Sequence, residues 1–197
     1  MITLPLSLAP RSRRALLAVV TAAFAAVACE DPYKITASNP NIDATFEIWA
    51  LSGSPAAYPS GLLVPQATAV RLDAAGSFDL AFDIDPDGRL LVYPVSSIVS
   101  PLAGSRVIAF QRAPGIYNAI AEALKTGYIF DIVFTVNEGQ VFFAKVTTQY
   151  CQYDLSQDVY AKFLVDSVIP AKRRIKLSAR INPNCGFRSL LSGIPEF

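Results

Sequence analysis

Residues 77–95, Ser-Phe-Asp-Leu-Ala-Phe-Asp-Ile-Asp-Pro-Asp-Gly-Arg-Leu-Leu-Val-Tyr-Pro-Val, decide the fold class. Phe78, Leu80, Phe82 and Ile84 fall on one face of an extended chain, and Asp79, Ala81, Asp83 and Asp85 fall on the other. A period of two is the mark of a half-buried strand. Pro86-Asp87-Gly88 then supplies turn residues, and Arg89–Val95 returns as the second arm of a hairpin.

The same pattern recurs on both sides of this hairpin. Thr45–Leu51 and Thr68–Asp73 read as strands before it, separated by a Pro- and Gly-rich loop over Ser54–Pro65. Arg106–Arg112 is a strand after it. Tyr128–Val136 and Val141–Tyr150 form a long hairpin around Asn137-Glu138-Gly139-Gln140, and Val159–Ile169 and Arg173–Ile181 close the series through Pro170. Ile116, Ile120 and Leu124 lie four apart, so Ile116–Lys125 is expected to be the single helix, stopped by Gly127. Phe187–Leu191 is expected to form one helical turn. Phe142-Phe143 must divide between the two faces of its strand, so one ring is expected under the helix or in solvent. About nine strands at hairpin spacing predict an all-β fold: an antiparallel β-sandwich, immunoglobulin-like or jelly-roll-like, with one short helix.

Composition narrows the function classes. The chain of 197 residues has 17 Lys+Arg, 16 Asp+Glu and no histidine. Ser-His-Asp and Cys-His catalysis and histidine-rich zinc sites are therefore excluded. Ser189 with Lys162 or Lys176, and the acids Asp131, Glu138, Asp154 and Asp158, remain available to a hydrolase, but no spacing marks a pair. The near-neutral charge argues against a nucleic-acid partner. A basic cluster, Lys172, Arg173, Arg174 and Lys176, stands out near the C-terminus as a candidate contact for an acidic partner. Asp83, Asp85 and Asp87 with Gly88 match the opening of a calcium loop, the one cofactor the sequence suggests. The twelfth position is Pro94, where such a loop needs a bidentate Glu. The hairpin turn explains the same acids, with Asp83 and Asp85 expected to face solvent.

The N-terminus carries a separate message. Arg11, Arg13 and Arg14 precede an apolar run, Ala15–Ala28, which ends in Ala26-Val27-Ala28-Cys29. The run is shorter than the roughly 20 residues that a bilayer-spanning helix needs. This stretch resembles a bacterial lipoprotein leader, with Ala26 where that motif usually has Leu; Ser12–Leu17 is also similar to a twin-arginine export signal. The resemblance implies a signal peptide over 1–28, acylation of Cys29, a flexible tether over 29–41 and one β-sandwich domain over 42–197. It implies an extracytoplasmic domain held to a membrane of the cell envelope through lipid. Without its three arginines the mature chain has 14 basic and 16 acidic residues, a formal charge of −2. Cys151 and Cys185 then remain in an oxidising compartment and are expected to form a disulfide. The functional expectation is a non-enzymatic binding or scaffolding domain with a protein partner in the envelope, possessing a working surface in the loops after Gly53 and the basic, disulfide-bridged C-terminal region. A small-ligand or carbohydrate-binding module, calcium-dependent or not, is the alternative, and a hydrolase the third.

Overall fold

Among the described residues, alternating apolar positions give eleven strands, which the hydrogen-bond ladders sort into two antiparallel sheets. The computed structural model describes residues 35–75, 77–99, 106–151 and 156–195. The strands are β1 (Ile42–Trp49), β2 (Gly61–Leu63), β3 (Thr68–Val70), β4 (Leu80–Ile84), β5 (Leu90–Pro94), β6 (Val107–Arg112), β7 (Ile129–Phe130), β8 (Phe134–Val136), β9 (Val141–Thr147), β10 (Asp158–Ile169) and β11 (Arg174–Asn182). A six-stranded sheet runs β1-β11-β10-β9-β6-β7, and a five-stranded sheet runs β3-β2-β4-β5-β8. The fold is an all-β sandwich.

The inner faces carry the core. Leu80, Phe82, Leu90 and Val92 of the smaller sheet are fully buried against Phe110, Phe142, Phe163 and Leu177 of the larger one. A run of rings crosses the interior, with Phe163 stacked on Phe142 at 5.1 Å and Phe110 stacked on Phe134 at 5.5 Å between centroids. Burial of each such side chain is worth about 1.5–3 kcal/mol. The β4–β5 hairpin forms where the alternation places it, with Phe82 opposite Val92 and Ile84 opposite Leu90. However, β4 is buried on both faces rather than half-buried, because Asp79 and Asp83 are covered by their arginine partners.

Four segments depart from the sequence reading. The 54–65 loop contains β2, whose glycine lets Leu72 and the Leu80 carbonyl approach closely; a Cβ on Gly61 would lie 2.7 Å from Leu72 and 2.9 Å from that oxygen. Tyr128–Val136 is two strands rather than one. Asp131 takes a left-handed φ of 52°, which Asp tolerates better than most residues, and passes the chain from β7 in one sheet to β8 in the other. Phe187–Leu191 is extended, with Ser189 bridged to Glu122. The expected helix over 116–125 is absent: after a short 3-10 turn at Tyr117–Ala119 the chain runs as an extended strap. In a helix the Tyr117 and Ile120 carbonyls would accept from N–H groups four residues on. Here Lys162 Nζ donates to both, at 2.9 and 2.7 Å.

The strap explains the divided phenylalanines. Phe142 faces the main core, while Phe143 is buried on the opposite face in a second cluster with Ile120, Ala123, Val141, Tyr160 and Leu190. The strap therefore covers the outer face of β9 and β10, and the outer faces of β1 and β11 remain polar.

Strand register defines two ends of the sandwich. Ile42 lies opposite Ile181 at the end where the chain enters, and Trp49 lies opposite Arg174 at the other. The seven steps between them span about 23 Å at the usual strand rise. At the entry end, Asn184 Oδ1 accepts from the Ser38 and Asn39 N–H groups, and Asn41 Nδ2 donates to the Ser189 and Leu191 carbonyls. The Cys151–Cys185 disulfide, with an S–S distance of 2.04 Å, closes the same end.

Candidate functional site

The far end gathers the basic cluster and the turn acids that the sequence singles out, beside an aromatic pair, Trp49 and Tyr58, that it does not. The β10–β11 connection is a 3-10 turn, Pro170–Lys172, followed by Arg173 at a left-handed φ of 52°. Three contacts hold Arg173 in that strained conformation. Its guanidinium pairs with Asp83 at 2.5 Å and donates to the Ile84 carbonyl at 3.1 Å and the Ser52 carbonyl at 2.8 Å. Ser52 Oγ donates to the other Asp83 oxygen at 2.6 Å. One arginine thereby ties together the 51–60 loop, the β4–β5 hairpin and the basic turn. The loops after Gly53 and the basic cluster form one surface; the disulfide lies at the opposite end of β11.

Within this surface the four basic residues have different tasks. Arg173 is structural, and Arg174 pairs with Glu47 across the β1–β11 ladder at 2.8 Å. Lys172 and Lys176 are exposed, and no ion pair involves either among the described residues. Beside them Trp49 and Tyr58 stack at 4.7 Å between centroids with 18° between planes, and Tyr58 remains 45% exposed. The result is two free ammonium groups next to a preformed aromatic platform.

The calcium-loop acids are arranged otherwise than expected. Asp83 is 8% exposed rather than solvent-facing, because Arg173 and Ser52 cover it. Asp85 pairs with Arg89 at 2.6 Å, and Asp87 reaches the same guanidinium at 3.0 Å. Each carboxylate has a cationic partner that a metal ion would have to displace. Among the described residues, no three metal-ligating side chains converge. Cys29 lies outside the described residues.

Sequence reasoning missed two features. Asp79 is fully buried, held by Arg106 at 2.5 Å and by the Val64 N–H at 2.6 Å. Burial raises its pKa, and Arg106 opposes that rise. Lys162 is 1% exposed and fixes the strap. Its ammonium lies 4.6 Å from the Tyr117 ring centroid, and desolvation followed by repulsion from Arg180 lowers its pKa to about 8. Burial also pushes the Tyr117 hydroxyl up to about 12. A groove of about 360 Å³ flanks the strap, lined by Ala121, Phe187 and Leu191 and by the Glu122–Arg188 ion pair at 2.5 Å. A lone lysine in an apolar strand carries no sequence mark of such a position.

No protein-family model, curated protein or solved structure matches the chain.

Proposed function

We propose that the protein is a lipid-anchored, extracytoplasmic binding domain that presents its far end to an acidic segment of a protein partner in the cell envelope. The observation that carries this reading is the separation of the two ends. Chain entry at Ser38–Asn41 lies about 23 Å along β1 from the platform of Trp49, Tyr58, Lys172 and Lys176. A lipid on Cys29 leaves that platform free to meet a partner away from the anchor. Tyr and Trp in one patch are the chemistry of protein–protein hot spots, and the exposed ammonium groups at its rim favour an acidic counterpart. The Cys151–Cys185 bridge suits an oxidising compartment.

The test is isolation of the full-length protein from its native membranes, with intact-mass analysis and identification of stoichiometric partners. An acylated Cys29 N-terminus and a partner lost in the Lys172→Glu/Lys176→Glu variant support the reading. Both positions are exposed, and Lys176 stands opposite Glu47 in the β1–β11 ladder, so stability is expected to fall by no more than about 1 kcal/mol. A partner retained at full stoichiometry by the charge-reversed protein, or an unacylated chain with no membrane association, overturns it.

A further inference from the structure

The entry end carries a group of exposed apolar side chains. Ile98 and Val99 follow β5, Phe130 and Ile132 flank the passage from β7 to β8, Tyr150 follows β9, and Ile194 lies in the tail. Their exposures run from 41% at Ile98 to 71% at Tyr150. Register places these segments together. Val107, which begins β6, lies opposite Thr147 at the end of β9, and Pro94 at the end of β5 lies opposite Leu80 at the start of β4. The Ser96 hydroxyl donates to Asp131 at 2.7 Å, and the Asp131 N–H donates to the Ile108 carbonyl at 3.0 Å, which joins the rims of the two sheets. The tail reaches the same end, because the Gly193 carbonyl accepts from the Asn41 N–H at 2.8 Å.

We infer that this end lies against the lipid surface, with these side chains at the boundary between headgroups and acyl chains. The inference rests on the lipid anchor of the proposed function and adds an orientation to it. Cys29 precedes Ser38 by nine residues (38 − 29), which reach about 30 Å even when fully extended. A lipid on Cys29 therefore keeps Ser38 and Asn39, which are bonded to the tail at Asn184, within about 30 Å of the membrane. The local charges permit such contact. Among the described residues, Asp79 pairs with Arg106, Asp158 with Lys145 and Asp43 with Arg180, so three of the carboxylates at this end carry a cation that reduces repulsion from an anionic leaflet. Isolated apolar residues are ordinary on a protein surface, but a group of aliphatic residues with Phe130 and Tyr150 at the tethered end matches the composition of membrane-interface segments.

Trp49 is the only tryptophan in the chain and lies at the far end, so the protein contains its own control. The acylated full-length protein is reconstituted into vesicles of phosphatidylethanolamine and phosphatidylglycerol containing lipids brominated along the acyl chain. Trp49 emission is expected to be unchanged. In a Trp49→Phe background, reporters introduced by Ile132→Trp and by Tyr150→Trp are each expected to be quenched. Both positions are exposed, and an unchanged melting temperature shows that each variant folds. Acylated, vesicle-bound protein in which neither reporter is quenched overturns the orientation and leaves the anchor standing. Protein that carries no acyl group and does not bind vesicles overturns both. Reporters shielded from both brominated lipid and aqueous acrylamide, with a second protein co-isolated, overturn the orientation in favour of a protein interface.

Discussion

Substituting Lys162 by methionine separates the charge of the buried lysine from its size. Its pKa falls from 10.5 to about 8, so the native state releases a proton that the unfolded chain keeps. For a base with a depressed folded pKa, the unfolded state binds more protons between the two values, and stability rises with pH across that window. Integrating between about pH 7 and about pH 9.5 gives a gain of about 2 kcal/mol in the parent protein. The strap stays attached throughout, because a neutral amine keeps two N–H donors for the Tyr117 and Ile120 carbonyls. Lys162→Met abolishes the titration and leaves two carbonyls without this donor. At about pH 7 the loss of these bonds, about 1–3 kcal/mol each, is largely offset by relief of a buried charge. Urea unfolding of both proteins at the two pH values is the assay. The stability difference is expected to move by about 2 kcal/mol in the parent's favour at the higher pH. A difference that stays constant, or that moves the other way, refutes desolvation as the dominant force on this lysine.

Further expectations follow from the other buried contacts. Arg106→Ala leaves the Asp79 carboxylate buried without its cation and is expected to cost about 3–5 kcal/mol at neutral pH. Because burial raises the Asp79 pKa, protonation relieves that penalty as pH falls, so urea midpoints of variant and parent should converge toward acid. Arg173→Ala is expected to destabilise by about 2–4 kcal/mol in chemical denaturation, since Asp83 then keeps only its bonds to Ser52 and the Ile84 N–H. Reducing the Cys151–Cys185 bridge, which spans a sequence separation of 34, is expected to cost about 3–4 kcal/mol and to lower the melting temperature in reductant.

Legibility varied with how local the deciding interactions are. The Phe78–Ile84 alternation and the Pro86-Asp87-Gly88 turn act over a few residues, and the β4–β5 hairpin lies where they predict. The Cys151–Cys185 disulfide was legible because the leader resemblance set Cys29 aside and left one pair. The strap was misread because Ile116, Ile120 and Leu124 mimic a helix stripe, while its real determinants are distant: Lys162 takes its carbonyls and the 188–190 backbone pairs with its 121–123 stretch. Arg173 is the clearest case at the candidate site. In sequence it is one of four basic residues, and only the fold, by bringing Asp83 and the Ser52 and Ile84 carbonyls to its guanidinium, separates it from the exposed Lys172 and Lys176. Composition reveals that charges cluster but not which of them find partners.

The pairing of β1 with β11 has a mechanical consequence. β1 enters at Ile42 and runs toward the far end, while β11 leaves that end at Arg174 and runs back. A pull on the N-terminal side of Ile42, opposed by a grip on the 170–174 turn, slides the two strands along one another. Inter-strand hydrogen bonds lie across that direction, so the ladder bears the force in parallel instead of opening one rung at a time. The path from chain entry to the far end is thus a shear joint, the loading geometry in which a β-ladder resists force best.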